Sequence, residues 1–226
     1  MRNLIYVPII HSTADLGSIA NDLNRRGIAD FGEEFWQNHI DTVNGFWEAI
    51  SYYFDTIDIY IPGIKIYQDG MVADGEIAMK IIEESIKSGS KNYEIVQKLI
   101  EKGAEIIKTE DFKLVKRELI SLQSITQAKS TFIKIIKLII YKATKSRLLK
   151  KRDKYIAQRI ADTLGPDETG ILFIGAYHKI LKKLPKDIHV IELKEIEKVR
   201  RFQKLLPYHN VKEQEYEQLA QYLVKR

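Results

Sequence analysis

The chain has 226 residues, 45% hydrophobic and 30% charged, which is apolar enough for a packed core and excludes a disordered chain. It contains no cysteine, which excludes a disulfide scaffold, a zinc ribbon, an iron–sulfur centre and a thiol nucleophile; any metal would sit on His, Asp, Glu or backbone oxygen. The net charge of +5 is unevenly placed, because residues 129–159 hold eleven Lys and Arg against one acid, Asp153, leaving about −5 for the rest.

The first element is the apolar run Leu4-Ile5-Tyr6-Val7-Pro8-Ile9-Ile10, the pattern of a strand covered on both faces. Pro8 has no N–H to donate, so a bulge or a sheet edge is expected there. No small-residue cleavage site follows this run, and no stretch of about 18 uncharged apolar residues occurs anywhere. A cytoplasmic protein without a leader or membrane span is expected, and the Ile, Lys, Glu and Tyr content suits a thermophile. Asp15 or Ser18 can cap the next helix. From residue 19 to 57 the spacing of Phe31, Phe35, Trp36, Ile40, Val43, Phe46, Trp47 and Ile50 predicts helix.

Ile64-Lys65-Ile66-Tyr67 predicts a second strand, closed by the turn Gln68-Asp69-Gly70. Helices are expected over 74–87 and 93–102, the latter stopped by Gly103. Residues 104–108 predict a third strand, after which Thr109 can cap a long helix that continues with few breaks to Leu164. Gly165-Pro166 ends it. Gly170-Ile171-Leu172-Phe173-Ile174-Gly175 is the clearest buried strand, residues 188–193 form a last one, and two helices close the chain. Strands alternating with helices predict a single α/β domain over 1–226, with a mostly parallel sheet flanked by helices. The block 110–146 is expected to be a helical insertion or cap.

In parallel sheets, ligands bind outside the carboxyl ends of the strands. The strand exits here are His11, then Asp15; Gln68 and Asp69; Thr109, Glu110 and Asp111; and Gly175-Ala176-Tyr177-His178. Two imidazoles and one or two carboxylates serve either a divalent metal or metal-free acid–base chemistry. Each residue also has a plainer reading, since Asp69 suits a turn and Glu110 the first turn of a helix. His39 is expected to pack within its aromatic helix and His209 to lie in solvent. No phosphate-binding Gly-x-x-x-x-Gly-Lys loop, Gly-x-Gly-x-x-Gly fingerprint or Gly-x-Ser-x-Gly elbow is present.

The segment Arg152-Asp153-Lys154-Tyr155-Ile156-Ala157-Gln158-Arg159-Ile160, followed by the strand leading into Gly175-Ala176-Tyr177-His178, resembles the C-terminal signature of the TraB/Tiki group. That group is similar to the erythromycin-esterase-like and ChaN-like proteins. The resemblance implies an α/β hydrolytic site at the strand ends with His11, His178, Asp69 and Arg152 as catalytic residues. It admits a divalent metal on His11, His178, Asp69 and Glu110. The first motif, Pro8-Ile9-Ile10-His11, lacks the group's glycine, and Gln68-Asp69 stands where it has glutamate. Asp15, Tyr177 and Arg159 complete the expected substrate-binding set, for an unknown small molecule or peptide.

Within the basic segment, Lys134, Lys137 and Lys145 punctuate a run of Ile, Leu and Phe from 132 to 141. The leading expectation is a core helix whose lysines reach solvent. A peripheral contact with an anionic membrane surface or a partner helix, a homo-oligomer included, is the second, and nucleic acid is disfavoured for want of any recognisable motif. A non-catalytic binding protein using residues 129–159 is the alternative to the hydrolase.

Overall fold

The computed structural model describes residues 1–12, 20–57, 59–128 and 130–226. Five strands, β1 (Arg2–Ile9), β2 (Lys65–Gln68), β3 (Glu105–Ile107), β4 (Thr169–Gly175) and β5 (Ile188–Glu192), form one sheet in the order β3-β2-β4-β1-β5, every pairing parallel. Among the described residues eight α-helices surround it: α1 (Ala20–Phe31), α2 (Glu33–Thr56), α3 (Gly75–Lys87), α4 (Lys91–Glu101), α5 (Phe112–Thr126), α6 (Thr131–Thr163), α7 (Ile196–Leu205) and α8 (Glu213–Val224). This is the expected α/β class.

β1 and β4 lie at the centre, and residues 4–9 and 170–174 are buried without interruption. Helices cover both faces, which is why these strands read as continuous apolar runs rather than alternating ones. Pro8 makes no bulge. Pairing of β1 with β5 stops at Tyr6 and Glu192, while pairing with β4 continues to Ile9. Pro8 therefore stands where β1 has become an edge on the β5 side, and its missing N–H breaks no ladder there.

The helical stretch predicted over 19–57 is two helices, because Gly32 adopts a φ of 84° that interrupts the spiral. α2 buries Val43, Phe46, Trp47, Ile50 and Phe54, a stripe at helical spacing. Trp47 Nε1 donates to the Ile10 carbonyl at 3.1 Å, tying α2 to the end of β1 and so placing His11. Thr109 does not cap the following helix; Asp111 does, accepting from the Leu114 amide at 3.0 Å. The Thr109 hydroxyl instead accepts from the Gln68 amide and donates to the Ile107 carbonyl, joining the exits of β2 and β3.

Residues 110–164 form an antiparallel pair rather than one helix. At a rise of about 1.5 Å per residue the 33-residue α6 is roughly 50 Å long, about twice the span of a seven-residue strand. Its buried residues begin at Arg152 and continue through Asp153, Ile156, Ala157 and Ile160 to the start of β4. None of its described side chains from 132 to 151 is buried. Because α6 runs back against the strand direction before entering β4, its first half, with α5, projects beyond the carboxyl edge of the sheet.

Candidate active site

The strand order decides which exits meet. β1 and β4 are neighbours, yet the chain leaves β1 for β2 on one side and leaves β4 for β5 on the other. Such divergence opens a crevice at the carboxyl ends, and the exits of β2 and β3 adjoin it. Asp69 at the end of β2 bonds directly to the exit of β4: its Oδ2 accepts from the Gly175 amide at 3.0 Å. A Cβ on Gly175 would meet that same oxygen at 3.2 Å, which explains the glycine at this position.

α6 crosses these exits and supplies two consecutive residues. Arg152 is buried and uses four of its five N–H groups on carboxylates. Nε donates to Glu110 Oε2 at 2.6 Å, Nη2 to Asp69 Oδ1 at 2.8 Å and to Glu110 Oε1, and Nη1 to Glu118 Oε2. Asp153, one residue on, turns to the β4 exit, where its Oδ1 lies 2.7 Å from His178 Nδ1 and its Oδ2 accepts from the Lys179 amide. The other imidazole nitrogen, Nε2, is 3.8 Å from Asp69 Oδ2. The result is a line Asp153–His178–Asp69–Arg152–Glu110, with Glu118 closing it from α5.

The electrostatics follow from this packing. Burial alone would raise the Asp69 carboxyl, but the charges of His178 and Arg152 outweigh it and hold Asp69 well below the usual carboxylate range. Glu110 is fully buried and goes the other way: burial raises it, helped by the charge of Asp69, against the pull of the Arg152 bonds. Burial would lower His178, yet the Asp153 hydrogen bond and the Asp69 charge together hold it above its ordinary value. A histidine raised by folding adds stability that is complete below about pH 6.5 and lost as the pH climbs through its folded value. The wild-type melting temperature is therefore expected to fall as the pH rises above about 6.5, and His178→Asn to flatten that limb. A thermal-melt series with identical pH profiles for the two proteins would refute the assignment.

A cleft of about 750 Å³ opens beside this cluster. Its lining includes His11, Asp69, Glu118 and Arg152, with α3 and the start of α4 forming the opposite wall. His11 is exposed and also borders a second cavity of about 240 Å³ lined by Trp36 and His39. His178 and Glu110 are not among the lining residues; they stand behind Asp69 and Arg152. Gln68 and Asn92, both in the cleft wall and almost wholly buried, carry amide oxygens with no hydrogen-bond partner among the described residues.

Of the expected site residues, His11, Asp69, Glu110, Arg152 and His178 come together. Asp15 lies outside the described residues. Tyr177 is exposed and does not line the cleft, and Arg159 donates to the Lys108 carbonyl at 3.0 Å behind β3. Asp153 and Glu118 were not foreseen. Each had a signal, since Asp153 is the only acid in the basic segment and Glu118 the only one between 112 and 151. His39 is half-buried in an aromatic cluster, 2.6 Å from the Tyr216 hydroxyl, and burial lowers it to about 4. His209, expected in solvent, stacks on Phe35.

Two of the four predicted metal ligands, Asp69 and Glu110, are otherwise engaged. Both Asp69 oxygens and both Glu110 oxygens accept from Arg152 or from backbone amides. Among the described residues no group of three or more His, Asp or Glu side chains is disposed to hold a metal ion. The Arg152 guanidinium occupies the centre of the carboxylates, where a cation would bind.

No family model, no curated protein and no solved structure matches this chain. Fold and site therefore define its class: an α/β protein with an all-parallel five-stranded sheet and a His–carboxylate–Arg cluster at the strand carboxyl ends.

Proposed function

We propose that the protein is a His- and carboxylate-dependent hydrolase that works without a metal, as a variant of the TraB/Tiki pattern it resembles. The observation that carries this reading is the convergence of three strand exits and one helix on a single buried polar line, Asp153–His178–Asp69–Arg152–Glu110, beside a cleft of about 750 Å³ that His11 also lines. Buried ionisable groups are costly, and sites that concentrate them beside a cavity are the places where proton transfer is arranged.

His11 and Asp69 face the cleft and are the groups that meet substrate. An imidazole can accept a proton from an attacking water and return one to the leaving group. Asp69, kept ionised by its neighbours, orients that water or stabilises the imidazolium of His11, whose charge it feels. His178 and Asp153 are positioning residues that hold the Asp69 carboxylate and its charge. Arg152 fixes the three carboxylates. With its charge already matched by Asp69, Glu110 and Glu118, it is a weak anchor for an anionic substrate.

A panel of amide, ester and glycosidic substrates is the test. Activity is expected to survive a chelator and dialysis and to fall by about 10²-fold or more in His11→Asn, a substitution at an exposed site that leaves folding intact. An activity that needs added metal, or that His11→Asn leaves at the wild-type rate, would refute the mechanism.

A further inference from the structure

The hairpin of α5 and α6 presents its apolar side to solvent. Leu119 and Ile120 on α5 and Phe132, Ile136, Ile139 and Ile140 on α6 are all exposed, Phe132 to 73% and Ile139 to 61%. The lysines of the same stretch point inward: Lys134 and Lys137 are half-buried, and Lys137 Nζ donates to the Ser124 carbonyl on α5 at 2.8 Å. This inverts the expected core helix with solvated lysines, since burying the apolar face against α5 would be the soluble solution. Large contiguous apolar surface on a protein marks a site of contact.

The order of residues along the hairpin identifies the partner. The two helices are in register, with Lys137 level with Ser124 and Tyr141 level with Glu118. Apart from Phe112 at the start of α5, the exposed large apolar residues on both lie toward the tip, over 119–122 and 132–140. Toward the sheet, exposed basic residues follow on both, Lys113, Lys116 and Arg117 on α5 and Lys142, Lys145 and Arg147 on α6. Residues 112–151 hold eleven Lys and Arg against one acid, Glu118, which Arg152 already neutralises. An apolar tip backed by a basic collar matches the depth profile of an anionic bilayer, with acyl boundary first and phosphate headgroups next. A second copy of the same surface would bring two strongly positive collars together. Nucleic acid would take the collar and leave the isoleucines in water. No helix among the described residues is long and apolar enough to cross a membrane, so the contact is peripheral.

We infer that the α5–α6 hairpin docks tip-first on an anionic lipid surface. The inference stands apart from the chemistry of the cleft, and none of the residues it uses belongs to that site. The test is co-sedimentation of the full chain with phosphatidylcholine vesicles, with and without phosphatidylglycerol, at low and raised salt. Binding is expected only with phosphatidylglycerol present, and weakening as salt screens the collar. Phe132→Ser with Ile139→Ser at the tip, and Lys145→Glu with Lys142→Glu in the collar, are each expected to weaken it by about tenfold or more. All four positions are exposed, so melting temperatures should stay at the wild-type value. Failure to bind the anionic vesicles, or wild-type binding by both double variants, would overturn the inference. So would a solution dimer that the tip variant dissolves, or tighter binding to duplex DNA or RNA than to the vesicles.

Discussion

Arg152→Met is expected to cost about 3–5 kcal/mol of folding stability. Methionine fills much of the same space, so the loss comes from charge rather than from a cavity. Without the guanidinium, Asp69, Glu110 and Glu118 face one another with no cation among them, and Glu110 is fully buried. Lysine is not expected to rescue the variant. One ammonium cannot reproduce a planar fork that reaches two Glu110 oxygens, Asp69 and Glu118 together. The pH dependence distinguishes this cause from lost packing. Carboxylates stripped of their partner bind protons more readily, so the variant should regain part of its stability between about pH 7 and pH 5, where protonation relieves the repulsion. Chemical denaturation across that range is the measurement. A loss under about 1 kcal/mol at neutral pH would mean that water, rather than Arg152, compensates these carboxylates.

Asp69→Asn is expected to reduce activity by about 10²- to 10⁴-fold, the effect of losing a carboxylate that orients the attacking water or supports the His11 imidazolium. It should also leave a signature that a merely structural role would not. Asp69 is one of the two groups that hold His178 above its ordinary value, the Asp153 hydrogen bond being the other. Removing the Asp69 charge should therefore lower the His178 titration seen by NMR, and Asp153→Asn should lower it further, because the hydrogen bond is the stronger influence. Activity in Asp69→Asn equal to that of wild type, with the His178 titration unmoved, would leave the carboxylate a turn residue and nothing more.

Much of the architecture was legible in the sequence, and for a definite reason. Strands buried on both faces cannot tolerate polar residues, so β1 and β4 stand out as unbroken apolar runs, and the residues that leave them stand out by contrast. His11 and His178 were found that way, and Asp69 and Glu110 as the polar residues that leave the shorter strands β2 and β3. Arg152 entered by resemblance as a catalytic residue, and the fold pairs it with three of the protein's own carboxylates. Asp153 was passed over because an acid beside five basic neighbours reads as a surface charge. Only its burial and its 2.7 Å approach to His178 reveal another role. The hairpin was misjudged for a related reason, since helical periodicity shows that a helix has an apolar face but not that anything covers it.

Composition and pattern alone determined the element types, the absence of thiol chemistry, and the polar residues at each strand exit, because these depend on neighbours along the chain. Strand order was decided only by the fold. Placing β4 between β2 and β1 brings Asp69 to Gly175 and His178 across more than a hundred residues, and lets consecutive residues of α6 serve two different exits. Such pairings are set by the free energy of packing the whole sheet and its helices, to which no local window of sequence has access.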